Sequence, residues 1–156
     1  MLKKILSLFL ILLLVLGGIA LSKDISKRIQ NIGIIQDHYD ILYAKEMFEA
    51  INEYRQEENL HEYVWYETLE EAARIRAKEI SVVMSHERPD GTPFYTVHDE
   101  AYGENIAKGF PNVEKVMIGF MDSPSHRDAI LSKDYYYVTC AVYYSGGIYY
   151  YVQLFR

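Results

Sequence analysis

The chain has 156 residues, of which 50% are hydrophobic and 24% are charged. This length suits one domain and is too short for two of ordinary size, and the composition is that of a globular protein rather than of a disordered chain or a coiled coil. The net charge of −6 argues against nucleic-acid binding, which needs a clustered basic surface. The single cysteine, Cys140, excludes an internal disulfide, and the apolar run around it predicts a buried strand.

The first residues have the composition of an export segment. Lys3 and Lys4 precede an apolar stretch from Ile5 to Leu21 that ends in small residues. This order is typical of a secretory signal peptide, but the stretch is also long enough to anchor the chain in a membrane. Both alternatives predict an exported domain, because lysines ahead of an apolar segment favour a cytoplasmic N-terminus. We expect membrane contact only through this segment. The predicted parts are a signal peptide or N-terminal membrane anchor at 1–22, a linker at 23–39 and one domain at 40–156.

Two amphipathic helices are predicted in the first half of the domain. Apolar residues recur at spacings of three and four over residues 40–58, and the same pattern returns over Thr68–Val83. Thr68 and Glu71 have the spacing of a capping box, so we expect Thr68 to cap the second helix. Prolines and a glycine interrupt the segment His86–Gly103, which predicts mostly loop.

The second half of the domain predicts further helix and then a hairpin. A third helix is expected over Val113–Phe120, with Asn112 as its cap, and Ser123 with the proline after it suits the start of another helix. Tyrosines and β-branched residues fill Tyr135–Tyr144 and Ile148–Phe155, and a Ser-Gly-Gly sequence separates the two runs. This pattern predicts a β-hairpin.

Three polar segments stand apart from these apolar patterns. They read SHERPDG at Ser85–Gly91, GENIA at Gly103–Ala107 and SPSHRDAIL at Ser123–Leu131. With INEYR in the first helix and YVQLF in the last strand, their order and spacing resemble the bacterial branch of the CAP superfamily, the SCP-like domain of cysteine-rich secretory, antigen 5 and pathogenesis-related proteins. The resemblance extends from about Ala44 to Phe155. It implies an α+β fold, a three-layer α-β-α sandwich with a central antiparallel sheet.

The resemblance also implies a cleft. In that family two histidines and usually two acidic residues line it, and the matching positions here are His86, Glu104 and His126, which are the candidate catalytic residues and the candidate metal ligands. Neutral imidazoles with a carboxylate suit a divalent metal such as zinc, although a hydrogen-bonded cluster that only fixes loops is an alternative. The second family glutamate is missing here, which leaves open whether Asp122 or Ser123 replaces it.

Two functions from different classes fit this cleft. The first is an exported binding or interaction module, whose extracellular ligand is a lipid, a peptide or a cell-wall component. The second is an extracytoplasmic hydrolase of peptide or cell-wall material, in which His86 or His126 acts as the base and Glu104 orients it. Neither Gly-x-Ser-x-Gly nor His-Glu-x-x-His occurs, so hydrolase motifs give no support. Whether the protein is an enzyme stays undecided from the sequence.

Overall fold

The structure, a computed structural model, describes residues 37–156. The predicted signal peptide or anchor at 1–22, and nearly all of the predicted linker at 23–39, lie outside this range. The last two linker residues, His38 and Tyr39, form a short strand. Within the described range, no helix has the length and apolar character needed to cross a membrane.

Residues 37–156 contain four α-helices: three form where the apolar spacing predicts them, and the fourth begins at the predicted Ser-Pro start. Asp40 caps the first by accepting a hydrogen bond from the Tyr43 N–H at 3.0 Å. Asn112 caps the third in the same way, as predicted, by accepting from the Lys115 N–H at 3.0 Å. The helices are α1 (Ile41–Glu57), α2 (Glu70–Val82), α3 (Val113–Asp122) and α4 (Pro124–Ile130).

The predicted capping box at Thr68 is wrong. Thr68 lies inside a 3₁₀ turn, Glu67–Leu69, and α2 begins after Leu69 without a side-chain cap. The turn itself supplies a backbone hydrogen bond, from the Leu69 N–H to the Tyr66 carbonyl at 3.1 Å. A 3₁₀ turn leading into a helix therefore replaces the side-chain cap. Ser123 does occupy the cap position of α4, but its side chain makes no capping hydrogen bond.

In the described part of the chain, five strands form one sheet. In sheet order, β1 is followed by β4, β5 and β3, all antiparallel, while β2 pairs in parallel with the start of β4. The predicted hairpin is confirmed as β4 and β5, and its turn uses Gly146 and Gly147 at positive φ of 58° and 85°, a conformation that glycine adopts readily. The strands are β1 (His38–Tyr39), β2 (Val64–Trp65), β3 (Gly103–Lys108), β4 (Tyr137–Ser145) and β5 (Ile148–Phe155).

The two faces of the sheet carry separate cores. On one face, Met47 of α1 and Phe120 of α3 pack with the strand residue Tyr151. On the other face, α2 packs through residues such as Ile80 against Val152. Neighbouring β5 residues thus enter different cores, because side chains alternate across a strand. This arrangement confirms the three-layer α-β-α sandwich.

Candidate functional site

Two adjacent residues of the edge strand β3 begin the site. Glu104 points toward α2, where it meets Arg76. Asn105 points to the opposite face, where its Nδ2 donates to the His126 carbonyl of α4 at 3.0 Å and to Gln153 Oε1 at 2.9 Å. Because successive side chains of a strand point to opposite faces of the sheet, these two neighbouring residues contact both helical layers. Asn105 fixes the start of α4 and so the position of His126.

Arg76 and Glu104 form a buried, two-pronged ion pair. Arg76 Nε donates to Glu104 Oε2 at 2.9 Å, and Nη2 donates to Oε1 at 3.1 Å. Both side chains have no solvent-exposed area. Such bidentate geometry fixes the plane of the carboxylate as well as its distance. Glu104 is thus held rigidly before any ligand arrives.

The ion pair continues into a larger network. Arg76 Nη1 donates to Glu79 Oε2 at 2.6 Å, and Nη2 donates to the Ser85 carbonyl at 2.8 Å. Glu79 also accepts from Arg88, at 2.7 Å from Nη2. These bonds tie the loop that carries His86 to the buried face of α2. Groups of opposite charge that are in contact stabilise each other where little water reaches them.

Sequence reasoning missed Arg76 and Glu79. The missed signal is positional, because Arg76 falls on the same helical face as the buried residues Ala73, Ala77 and Ile80. A charged residue in the buried stripe of an amphipathic helix needs a partner of opposite charge. Its partner Glu104 lies 28 residues away, beyond the reach of helical periodicity.

His86 forms the solvent-facing side of the site. Its Nδ1 lies 3.4 Å from Glu104 Oε1, and 57% of its side chain is exposed. Burial raises the pKa of the Glu104 carboxyl above its ordinary value, while Arg76 and His86 limit that rise. The structure therefore brings His86 and Glu104 together, as the sequence resemblance implies.

His126 lies close to this pair without joining it. It occupies the first turn of α4, and its ring packs edge-on against Phe120 with the ring centroids 5.1 Å apart. Burial lowers its pKa, and the nearby charge of His86 lowers it further. Within residues 37–156, no hydrogen bond or ion pair joins the His126 ring to Glu104. His126 is thus a neutral, partly buried neighbour of the His86–Glu104 pair.

The donor set does not fit a three-ligand metal site in this conformation. Both Glu104 oxygens accept hydrogen bonds from the Arg76 guanidinium, and a cation beside a fixed cation is repelled. In the described part of the chain, no group of three or more His, Cys, Asp or Glu side chains is placed to hold a metal ion. Zinc binding by His86, Glu104 and His126 stays a prediction.

The two candidates for the missing family glutamate lie at the junction of α3 and α4. Asp122 is the last residue of α3 and is exposed, and Ser123 follows it at the cap of α4. In the described range neither side chain makes a hydrogen bond or ion pair to His86 or Glu104. Whether either residue replaces the missing family glutamate stays a prediction.

The three-layer α-β-α sandwich agrees with what the comparisons with known proteins show. The sequence model of the CAP family, described as the cysteine-rich secretory protein family, matches residues 48–155. The chain therefore belongs to the CAP family, as its motifs indicate.

Individual relatives come from bacteria. The uncharacterized protein YkwD of Bacillus subtilis is 31% identical over 114 residues, which are 68% of this chain and 44% of YkwD. The chain thus spans less than half of that relative. An outer surface protein from Borrelia burgdorferi superposes with a TM-score of 0.67 at 22% identity, over 77% of this chain and 97% of that one. An extracellular SCP-domain protein from Bacillus anthracis superposes with a TM-score of 0.65 at 21% identity, over 72% of this chain and 39% of that one. These structures share the fold.

Proposed function

We propose that this protein is an exported CAP-family binding module whose ligand contacts the cleft beside His86. The carrying observation is the exposed His86 ring, which is backed by the fully buried Glu104 side chain. Because Arg76 fixes Glu104, the polar edge of the cleft is held in place, as a recognition site requires. The export part rests on the apolar N-terminal segment and on relatives named as extracellular or outer surface proteins.

The surroundings of the histidines favour binding over covalent catalysis. A hydrolase with a serine nucleophile needs a hydroxyl hydrogen-bonded to its base. In residues 37–156, no serine hydroxyl bonds to the ring of His86 or His126, and the Ser85 hydroxyl instead accepts from the Glu87 N–H at 3.0 Å. His86 is thus a candidate base to which no serine hydroxyl of the described residues is bonded.

Hydrolysis by an activated water is the second candidate. The observation that favours it is the 3.4 Å contact between His86 Nδ1 and Glu104 Oε1, because a carboxylate behind an imidazole orients it as a general base. In this case, replacing either His86 or His126 with alanine would abolish turnover while far-ultraviolet circular dichroism stays unchanged. Equal turnover in the wild type and in both variants would contradict this candidate.

The binding proposal is tested by co-sedimentation with purified peptidoglycan and, separately, with phospholipid vesicles. We expect the wild type to sediment with one of them and His86→Ala to stay in solution. His98→Ala is the matched control, because the His98 ring instead accepts from the Glu100 N–H at 3.2 Å. Failure of the wild type to bind either material, or equal binding by His86→Ala, would overturn the cleft as the contact.

Zinc binding is the proposal that a calorimetric titration tests directly. With Glu104 engaged by Arg76, the two imidazoles are the donors available to an incoming ion. Stoichiometric binding to the wild type that is lost in a folded His86→Ala/His126→Ala double variant would support a metal centre. Absence of binding in both proteins would leave the cluster as a hydrogen-bonded network that fixes the loops.

A further inference from the structure

The outer edge of β4 has a gap between its two short partners. β1 pairs with Tyr143 and Tyr144, and β2 pairs with Tyr137 and Val138. Between these pairings lies Cys140, which neither short strand reaches. The gap is at the opposite side of the sheet from β3, and so away from the cleft around Glu104.

The direction of the Cys140 backbone groups follows from the β4–β5 ladder. Tyr137 and Arg156 exchange two backbone hydrogen bonds, at 2.9 and 3.0 Å. The backbone N–H and C=O groups of odd-numbered β4 residues therefore bond to β5, and those of even-numbered residues point away from β5. Val138 and Val142 confirm this, because their carbonyls accept from outside the hairpin, at 3.3 and 2.9 Å. The N–H and C=O of Cys140 therefore both face the gap.

Among residues 37–156, these two groups have no hydrogen-bond partner. Cys140 is 4% exposed. Buried backbone groups are nearly always paired, because leaving one unpaired costs the free energy of its lost hydration. Within the described range, the two groups are therefore available to pair with an added strand.

A cavity of about 450 Å³ opens directly over the gap. This is within the range of small-ligand sites, which are mostly apolar with a few convergent polar groups. Phe48 and Trp65 form an edge-to-face pair on its wall, with ring centroids 5.4 Å apart. Trp65 is held by its Nε1, which donates to Glu70 Oε1 at 2.8 Å. Cys140 thus supplies the polar floor of an aromatic pocket.

We propose that this cavity binds one residue of an extended peptide. Its N–H would donate to the Cys140 carbonyl and its C=O would accept from the Cys140 N–H, which is the hydrogen-bonded pair of an antiparallel ladder. Its apolar side chain would lie against Phe48 and Trp65. A hydrocarbon chain fits the chemistry less well, because it satisfies neither backbone group. This site is independent of the proposed cleft function.

The test uses Trp65, the single tryptophan of the chain, as an internal reporter. N-acetyl-leucine N-methylamide is titrated into the full-length protein while Trp65 fluorescence and the NMR shift of the Cys140 amide proton are followed. We expect saturable changes in both with one affinity. The matched probe is methylated on the leucine nitrogen, which removes one donor, and it should bind about tenfold more weakly, as the loss of one hydrogen bond predicts.

A cavity-filling variant provides the second arm. Ala44 lines the cavity from α1, and Ala44→Leu places extra carbon atoms in it, so the probe should no longer bind while circular dichroism stays that of the wild type. If that variant fails to fold, the comparison of the two probes still decides. Equal affinity for both probes, or no saturable change up to the solubility limit of the first, would overturn the proposal.

Discussion

Replacing Arg76 with methionine removes the cation from a cluster that contains two carboxylates. Arg76 is fully buried and donates to Glu104, to Glu79 and to the Ser85 carbonyl. Methionine matches much of its length but donates nothing. The Glu104 carboxylate would then be buried with only a 3.4 Å contact to His86.

The expected loss of stability is large for a single substitution. Removing one partner of a buried ion pair costs about 3–5 kcal/mol, because the remaining charge stays away from water without compensation. The total free energy of unfolding of a protein is about 5–15 kcal/mol, so the Arg76→Met variant is expected to retain only a small net stability. Arg74→Met is the control on the same helix, because Arg74 and Glu70 are about two-fifths exposed and 3.7 Å apart. An exposed pair contributes about 0–1 kcal/mol.

Urea denaturation followed by circular dichroism measures both variants. The midpoint of Arg76→Met should fall far below that of the wild type, and the midpoint of Arg74→Met should stay close to it. If the two variants lose the same free energy of unfolding, the network around Glu104 contributes less to stability than its burial and bidentate geometry imply.

The pH dependence of the stability lost in the Arg76→Met variant is a second readout. Burial raises the pKa of Glu104 in the folded protein, so the folded state holds that proton more tightly than the unfolded state does. Stability therefore falls as pH rises from the ordinary carboxyl pKa through the folded one. Removing Arg76 withdraws an interaction that lowers this pKa, so the difference between variant and wild type should grow as pH rises above the ordinary carboxyl range. A constant difference would refute the electrostatic explanation.

Three further changes have defined outcomes. His126 has a lowered pKa, so its stabilising contribution is lost as pH falls below the ordinary histidine range, and the urea midpoint of His126→Gln should change less than that of the wild type between about pH 7 and about pH 5. Arg55→Lys should cost about 1–3 kcal/mol in urea denaturation, because the buried Arg55 donates to three carbonyls and stacks 3.6 Å from the Tyr63 ring centroid. Gly103→Ala should lower the thermal midpoint, since its Cβ would lie 2.8 Å from the Tyr135 hydroxyl. An unchanged melting temperature would contradict that clash.

Local pattern predicted the first three helices because each has a periodic apolar face. It predicted the hairpin because two runs of tyrosine and β-branched residues, now buried on both faces, flank a Gly-Gly turn. The edge strand β3 was not predicted, since Glu104 and Asn105 are buried polar residues where alternation would place an apolar one. They are buried because Arg76 and Gln153 satisfy them from distant parts of the chain. The short strands β1 and β2 were missed for a different reason, because two residues are too few for any period to be visible.

The candidate site was predicted in part. The motifs indicated the neighbours His86 and Glu104, whose contact the structure has. The bond that fixes Glu104 could not be foreseen, because it depends on how α2 lies across the sheet. The same holds for His126, whose ring packs on Phe120 rather than bonding to the carboxylate.

The neighbouring Glu104 and Asn105 also make the site sensitive to chain length. β3 pairs with β5 in a register that sets Glu104 opposite Leu154 and Asn105 opposite Gln153. Adding one residue within β3 would turn the carboxylate toward α4 and leave Arg76 facing an amide or nothing, since a one-residue slip exchanges the two faces of a strand. Length changes in this domain are therefore tolerated in its loops and not in β3, where the residue count itself determines which helix each polar side chain meets.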